Sequence, residues 1–133
     1  MRTPLSGERK LTELDHIRLS KFTAAGAVPQ LAAILDEAQL LPSHAIPPDV
    51  VTMQARFVVR DLKLHRSLLL ALCYPADADP STGAISVLSP AGTALIGLAA
   101  GAVARWVGPG GEETVVHVDR VLFQPEATGD YVT

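Results

Sequence analysis

Few side chains in this sequence have the type and spacing that metal or acid-base chemistry requires. Asp77 and Asp79 form an Asp-x-Asp pair, which can hold a divalent cation, but no third carboxylate follows at EF-hand spacing and Pro80 comes next. We interpret both acids as solvated loop residues. The four histidines show no metal-ligand spacing among themselves or with Cys73. The sequence therefore predicts no metal site.

Nucleophilic catalysis has no support either. Ser89 is followed by proline, whereas a nucleophile elbow needs a glycine two residues after the serine. The segment Gly108 to Gly111 lacks the Lys-Ser/Thr pair of a phosphate loop and precedes a predicted strand, so we interpret it as a hairpin turn. Cys73 lies in an apolar run and is predicted to be a core residue. We predict no catalytic residues and no cofactor.

The best-defined element lies between Ile85 and Gly97, where the hydrophobic period changes from strand-like to helix-like. Ser89 stands at the N-cap position and Pro90 at the first helical position, where its missing N–H is not needed. Gly92 removes a side chain where another segment could approach closely. The pattern predicts a short helix that packs on a sheet.

Two amphipathic helices are predicted before this element. The first runs from Lys10 to the small residues that begin at Ala24, and the second runs from Val28 or Pro29 to about Leu41. Their short connection favours an antiparallel hairpin with arms about 20 Å long. We expect residues 1–9 to form a loose arm, 10–42 the helical hairpin and 43–133 a second domain.

The second domain has the period of a sheet. Val51 to Val59 alternates apolar and polar residues, and Leu68 to Tyr74 is apolar on both faces, as in a strand covered on two sides. Further strands are predicted before Ser89, at Val103 to Val107 and at Thr114 to Phe123. The fold class is α+β, an antiparallel sheet of four to five strands with one helix.

The last predicted strand changes phase along its length. Val116 and Val118 belong to one face, whereas Val121 and Phe123 belong to the other. A β-bulge near Asp119 or Arg120 would keep all four apolar residues inside.

Composition limits the classes of partner. The net charge is −3 over 133 residues and the basic residues are scattered, which argues against direct binding of nucleic acid. No window approaches the length of a membrane span, and the single cysteine fits a reducing compartment, so we expect a cytoplasmic protein without a membrane partner. Trp106 is either a brace for the sheet or an anchor at an interface.

Several segments resemble the regulator of nucleoside diphosphate kinase (Rnk) family, which belongs with the Gre transcript-cleavage factors. They are Pro48 to Met53, Tyr74 to Asp77, Ile85 to Gly97, and the tail Phe123 to Ala127 followed by Gly129 to Tyr131. The resemblance runs from about Leu11 to the C-terminus. It implies a short helical hairpin followed by an FKBP-like domain of Gre type.

The resemblance also implies a partner. Similar proteins dock on bacterial RNA polymerase at the mouth of its secondary channel, with the Ser-Pro helix near the contact, which by carry-over is Ser89, Pro90, Ala91 and Gly92. A helix cap and a close helix-to-sheet contact explain the same four residues without a partner. Both interpretations stay open at this point.

Gre factors carry acidic residues at the tip of a long hairpin, where these help to hold a catalytic magnesium ion. Here the tip is expected at Ala24 to Val28, which contains no carboxylate. The resemblance therefore implies a protein that occupies the Gre site without stimulating cleavage. An FKBP-like prolyl isomerase or chaperone and a weak cleavage stimulator are the alternatives.

Two positions depart from the family pattern. Ala102 follows Gly101, where relatives usually have an acidic residue, and the hairpin from Lys63 to Arg66 lacks the usual glycine. Any contact of the missing acid, and the geometry of the hairpin turn, are therefore open.

Overall fold

The N-terminal part of the computed structural model, which describes residues 9–23 and 28–130, begins with a strand. Strand β1 (Lys10–Thr12) pairs in parallel with β2 (Gln39–Leu41), and the helices α1 (Glu13–Thr23) and α2 (Pro29–Glu37) lie between them in the chain. The expected bend, Ala24 to Val28, falls outside the described residues except for Val28, which precedes α2.

Both helices are shorter than predicted, and backbone pairing is the reason. The Lys10 N–H donates to the Gly97 carbonyl (2.9 Å) and the Gln39 N–H donates to the Arg9 carbonyl (3.0 Å), so both segments are extended. Helix α1 begins after Thr12, whose hydroxyl accepts the Asp15 N–H at 3.0 Å as an N-cap. The predicted start of the first helix at Lys10 and the predicted end of the second helix at about Leu41 were therefore wrong.

The main sheet has five strands in the order β5-β4-β3-β7-β6. These strands are β3 (Arg56–Asp61), β4 (Arg66–Cys73), β5 (Ala84–Ser86), β6 (Val103–Val107) and β7 (Glu113–Phe123). Helix α3 (Pro90–Leu95) contacts β5 and β6. The α+β class is confirmed, but β5 pairs in parallel with β4, so the prediction of an antiparallel sheet was wrong at this edge.

One hydrophobic core joins the helices to the sheet. Leu19 of α1 and Leu31 of α2 are fully buried in the same cluster as Phe57 and Val59 of β3 and Leu95 of α3. The face of the sheet that carries Phe57 and Val59 is therefore the inner face, on which α3 packs.

Strand β3 begins later than predicted. The Val51 N–H donates to the Leu98 carbonyl at 2.8 Å, and Met53 and Gln54 form a turn in which Gln54 has a φ of 68°. The polar and apolar alternation of Val51 to Ala55 thus belongs to a loop that pairs with the segment after α3. The prediction of a continuous strand from Val51 was wrong.

Strand β4 is covered on one face only. Leu72 is buried in the core, but Leu69 is 58% exposed on the opposite face. The expectation that β4 is covered on two sides was wrong, because in the described part of the chain the helices pack on the inner face of the sheet.

Strand β7 contains the predicted β-bulge. Val118 pairs with Val59 and Arg120 with Val58, which leaves Asp119 as the extra residue. A second irregularity leaves Leu122 unpaired beside Phe123. It turns Phe123 outward, 37% exposed, so the prediction that Phe123 lies inside was wrong.

Asp61 explains how the β3–β4 hairpin turns without a glycine. Its Oδ1 accepts the N–H groups of Lys63 and Leu64, each at 2.9 Å, and these bonds, that of Leu64 first, hold the pKa of Asp61 below its usual value. His65 takes the left-handed conformation, with a φ of 55°, that a glycine would otherwise supply. A side chain is unfavourable in this conformation.

Replacing His65 with glycine is expected to stabilise the fold. Glycine removes the Cβ strain of the left-handed conformation, although it gives more freedom to the unfolded chain, so we expect a net gain of about 0.5–1 kcal/mol. Urea unfolding of the two proteins measures this gain. Exposed His44 replaced with glycine is the control and should give no gain; a loss of stability in the His65 variant would contradict the turn geometry.

Candidate partner-binding site at the start of helix α3

Ser89 caps helix α3 as the sequence predicts. Its hydroxyl oxygen accepts the Gly92 N–H at 3.1 Å, and the same hydroxyl donates to the Ser86 carbonyl at 2.6 Å. The side chain of Ser89 is therefore occupied within the chain and fixes where the helix begins.

Gly92 provides a close contact between α3 and the segment that precedes it. A Cβ at this position would lie 2.0 Å from the Ser86 carbonyl oxygen and 2.8 Å from the Val87 Cα. The next residue, Thr93, is buried and donates its hydroxyl to the Val87 carbonyl at 2.8 Å. The structure thus contains both the helix cap at Ser89 and the close backbone contact at Gly92, so these two residues have structural roles.

Pro90 and Ala91 differ from their neighbours in exposure. Pro90 is exposed and Ala91 is half-buried. Pro90 lies on the rim of a groove of about 450 Å³ that runs between α2, α3 and β6. Half-buried Trp106 lines this groove and also packs against the core, so it braces the sheet.

Arg9 fixes the other end of α3, a contact that the sequence does not indicate. One of its terminal nitrogens donates to the carbonyls of Thr93, Ala94 and Ile96 at 3.2, 3.1 and 2.8 Å. Burial lowers the pKa of Arg9 to about 10, which leaves the guanidinium charged at neutral pH. A cation at the carbonyl end of a helix is favourable. Arg9 was expected in a loose arm, and its partners are more than 80 residues away.

Two segments that carry the family resemblance meet at the junction of the helices and the sheet. The Gln124 side-chain amide donates to the carbonyls of Pro47 and Val50 at 2.8 and 2.9 Å. Glu126 accepts the Thr52 hydroxyl at 2.7 Å. The Gln-Pro-Glu tail therefore holds the segment that leads from α2 into the sheet.

Asp15 of α1 completes this junction from the other side. It is 1% exposed, and its Oδ2 accepts the Met53 N–H at 3.2 Å. Burial is the main reason why the pKa of Asp15 is raised to about 7, and the nearby Glu126 carboxylate adds to the rise. Arg18 and the Thr12 hydroxyl oppose it. Asp15 is a buried ionisable group that the sequence analysis missed, since it occupies an ordinary helix position.

Aromatic contacts link the same helix to the sheet domain. The rings of Phe22 and Tyr74 stack with centroids 6.2 Å apart. Burial raises the pKa of Tyr74, whose hydroxyl lies near Arg18. Helix α1 is thus held to the domain along most of its length.

The remaining candidate residues have local roles. Asp79 Oδ1 accepts the N–H and hydroxyl of Ser81 at 3.2 and 2.6 Å, so it caps a turn. Cys73 is buried and donates its thiol to the Ile85 carbonyl at 3.3 Å, which confirms the predicted core position. Within residues 9–23 and 28–130, three or more potential metal ligands do not come together. None of the helices described there could cross a membrane.

Comparison with known proteins identifies the class of protein to which this chain is similar. The family model for the C-terminal domain of the transcription elongation factors GreA/GreB matches residues 46–121. A prokaryotic transcription elongation factor GreA/GreB from Nitrosomonas europaea has a similar structure, with a TM-score of 0.74 and 34% identity over 91% of this chain and 100% of that one. GreA factor homolog 1 of Thermus thermophilus, at 20% identity and a TM-score of 0.51, shares the fold.

Sequence relatives narrow the class further. The regulator of nucleoside diphosphate kinase of Escherichia coli is 41% identical over 77% of this chain and 75% of its own length. GreA of Clostridium beijerinckii is 29% identical, and the chain spans only 62% of its length. The chain therefore belongs to the regulator of nucleoside diphosphate kinase family, within the GreA/GreB group of transcription elongation factors. Its homologues are named as regulators or elongation factors.

Proposed function

We propose that this protein binds bacterial RNA polymerase at the Gre-factor site, at the mouth of the secondary channel, and regulates transcription there without stimulating transcript cleavage. It acts in the cytoplasm as a binding protein and not as an enzyme. The proposal includes the antiparallel helical hairpin and the FKBP-like domain that the resemblance implies. An influence on nucleoside diphosphate kinase would follow from altered transcription.

The proposal is supported chiefly by the contacts and the exposure of the residues at the start of helix α3. Ser89 and Gly92 make contacts within the chain, while Pro90 is exposed and lines the groove, and the next residue, Ala91, is half-buried. The cap and the close contact hold these two residues in one geometry before any partner arrives. A preorganised apolar surface loses little conformational entropy on binding, which favours affinity.

The bend and the lengths of the two helices favour a protein that does not stimulate cleavage. The sequence between Thr23 and Val28 has no carboxylate to hold a magnesium ion. Helix α1 has 11 residues and α2 has nine, so they are about 16 and 14 Å long, shorter than the arms expected from the sequence. Such short helices would not carry a ligand far into a channel.

Replacing Ala91 with glutamate tests the docking surface. An acid in the first turn is compatible with the helix dipole, so the fold should survive, while a charge on the apolar surface should weaken retention on immobilised core polymerase at least about tenfold. Ala33 of α2 is also exposed, and Ala33→Glu is the matched control. Absence of wild-type retention would refute the proposal, and equal retention of both variants would exclude this surface.

The prolyl isomerase alternative is less well supported. Among the described residues that line the groove, Trp106 supplies the aromatic surface alone, whereas an isomerase pocket needs several aromatic walls. A proline-peptide assay decides the matter: a rate above background that Trp106→Ala abolishes would favour the enzyme.

A further inference from the structure

The outer face of the sheet, opposite the core, combines positive charge with exposed apolar side chains. We define it by six residues of strands β3, β4 and β7, namely Arg56, Val58, Arg60, Leu69, Arg120 and Phe123. All are exposed except Val58, which is half-buried. The described helices pack on the inner face, so this face is open to solvent.

Strand register brings the three arginines together. Arg120 pairs with Val58, and Arg56 and Arg60 lie two residues before and after Val58 on the same strand. Side chains alternate along a strand, so all three project from one face. They form one positive patch in a chain whose net charge is −3.

The patch is only partly neutralised. Arg60 lies 3.9 Å from Asp119, whose carboxylate also contacts His117 at 2.5 Å. Arg56 lies over the Phe123 ring, 5.4 Å from its centroid, and this contact leaves its charge without a counterion. Arg120 makes no ion pair with any residue in 9–23 or 28–130. One carboxylate therefore faces three guanidinium groups.

Apolar side chains lie between and beside the arginines. Leu69, which pairs with Val58, is 58% exposed, and Phe123 beside Arg56 is 37% exposed. Exposed apolar groups of this kind gain from contact with apolar side chains of a protein, whereas a phosphate backbone offers them none. Charge and hydrophobicity together favour an acidic protein segment over nucleic acid.

We propose that the outer face docks an acidic amphipathic helix of a partner protein. Arg56 and Arg60 are four residues apart on a strand, which is about 13 Å. On a helix this distance corresponds to two to three turns, so acids at that separation would meet both arginines while apolar residues between them contact Val58 and Leu69. The sheet lies between this face and α3, so such a partner would bind without competing for the start of that helix.

Fluorescence anisotropy with a labelled peptide tests the proposal. The probe is an 18-residue designed helix with a leucine stripe flanked by glutamates, and its control has glutamine at every glutamate. The wild-type protein should bind the glutamate peptide with an affinity that falls as salt rises. The triple variant Arg56→Ala, Arg60→Ala, Arg120→Ala should bind at least about tenfold more weakly.

Matched variants distinguish the effect of charges on the outer face from the effect of net charge on the whole protein. Lys21, Lys63 and Arg66 are exposed and are not among the six residues that define the outer face, so the triple alanine variant at these positions removes the same charge and should change affinity less than about threefold. Lysine at the three arginine positions keeps the charge and should retain most of the binding, which guards against loss of fold.

Four results would overturn the proposal. They are equal binding of the glutamine peptide, an unchanged affinity in the arginine-to-alanine variant, tighter binding of a 20-nucleotide single-stranded RNA than of the acidic peptide, and self-association through these arginines in sedimentation equilibrium. The experiment contains no polymerase, so its failure is distinguishable from failure of the proposed function.

Discussion

Replacing Gly92 with alanine is expected to lower the free energy of unfolding by about 3 kcal/mol or more. The new Cβ would meet the backbone of Ser86 and Val87 at 2.0 and 2.8 Å, and backbone cannot rotate away as a flexible side chain can. Helix α3 would have to move off the sheet, which would disturb the buried Thr93 and Leu95. Urea unfolding, followed by far-UV circular dichroism, measures the loss.

Gly110 provides the control for this substitution. A Cβ at Gly110 would meet the carboxylate end of Glu112, a side chain that can swing away. Gly110→Ala should therefore change stability by less than about 0.5 kcal/mol. If the two variants were equally stable, the close contact under α3 would not exist as described.

Replacing Asp15 with asparagine is expected to stabilise the protein at pH 8. The pKa of Asp15 is raised to about 7 in the fold, against about 3.8 in the unfolded chain, so the folded state binds the proton more tightly. Its contribution to stability is present below pH 4 and is lost as the pH rises towards 7. The loss is about 2 kcal/mol and at most about 4. Asparagine keeps an acceptor for the Met53 N–H and has no proton to lose.

The measurement is the difference in unfolding free energy between the Asp15→Asn variant and the wild type. Because all other titrating groups are the same in both proteins, this difference reports on the Asp15 carboxyl group alone. It should be small at pH 4 and grow in favour of the variant up to about pH 8. Exposed Asp36 on α2, replaced with asparagine, makes the same change in net charge and should show no such growth. A flat difference for the Asp15 variant would contradict its burial.

The sequence predicted correctly those features that depend on residues close together in the chain. The N-cap of Ser89, the position of Pro90 and the bulge at Asp119 follow from neighbouring residues, and all three are present in the structure. The α+β class followed from the change of hydrophobic period at the prolines before Asp49.

Long-range pairing decided what the sequence did not indicate. Lys10 looked helical but pairs with Gly97, and Val51 looked like the start of a strand but pairs with Leu98. Arg9 and Asp15 carry no local pattern, because their roles depend on carbonyl and amide groups far along the chain. A period-based prediction has no information on such partners.

That the start of helix α3 binds a partner stays a prediction, but the structure shows how its four residues differ. The resemblance indicated Ser89 to Gly92 as one unit, whereas the structure gives Ser89 and Gly92 internal contacts and leaves Pro90 exposed. Likewise the tail from Gln124 to Ala127 pointed to a family, and its contacts now give it a role in holding the segment before β3.

Competition with a Gre factor in a transcript-cleavage assay tests the central claim most directly. Backtracked complexes of bacterial RNA polymerase receive GreA at a fixed concentration and this protein at rising concentrations, and the length of the RNA is followed. We expect that this protein alone shortens no RNA and that it suppresses GreA-stimulated cleavage as its concentration rises. RNA shortened by this protein alone, or GreA-stimulated cleavage that persists at a large excess of it, would contradict the claim.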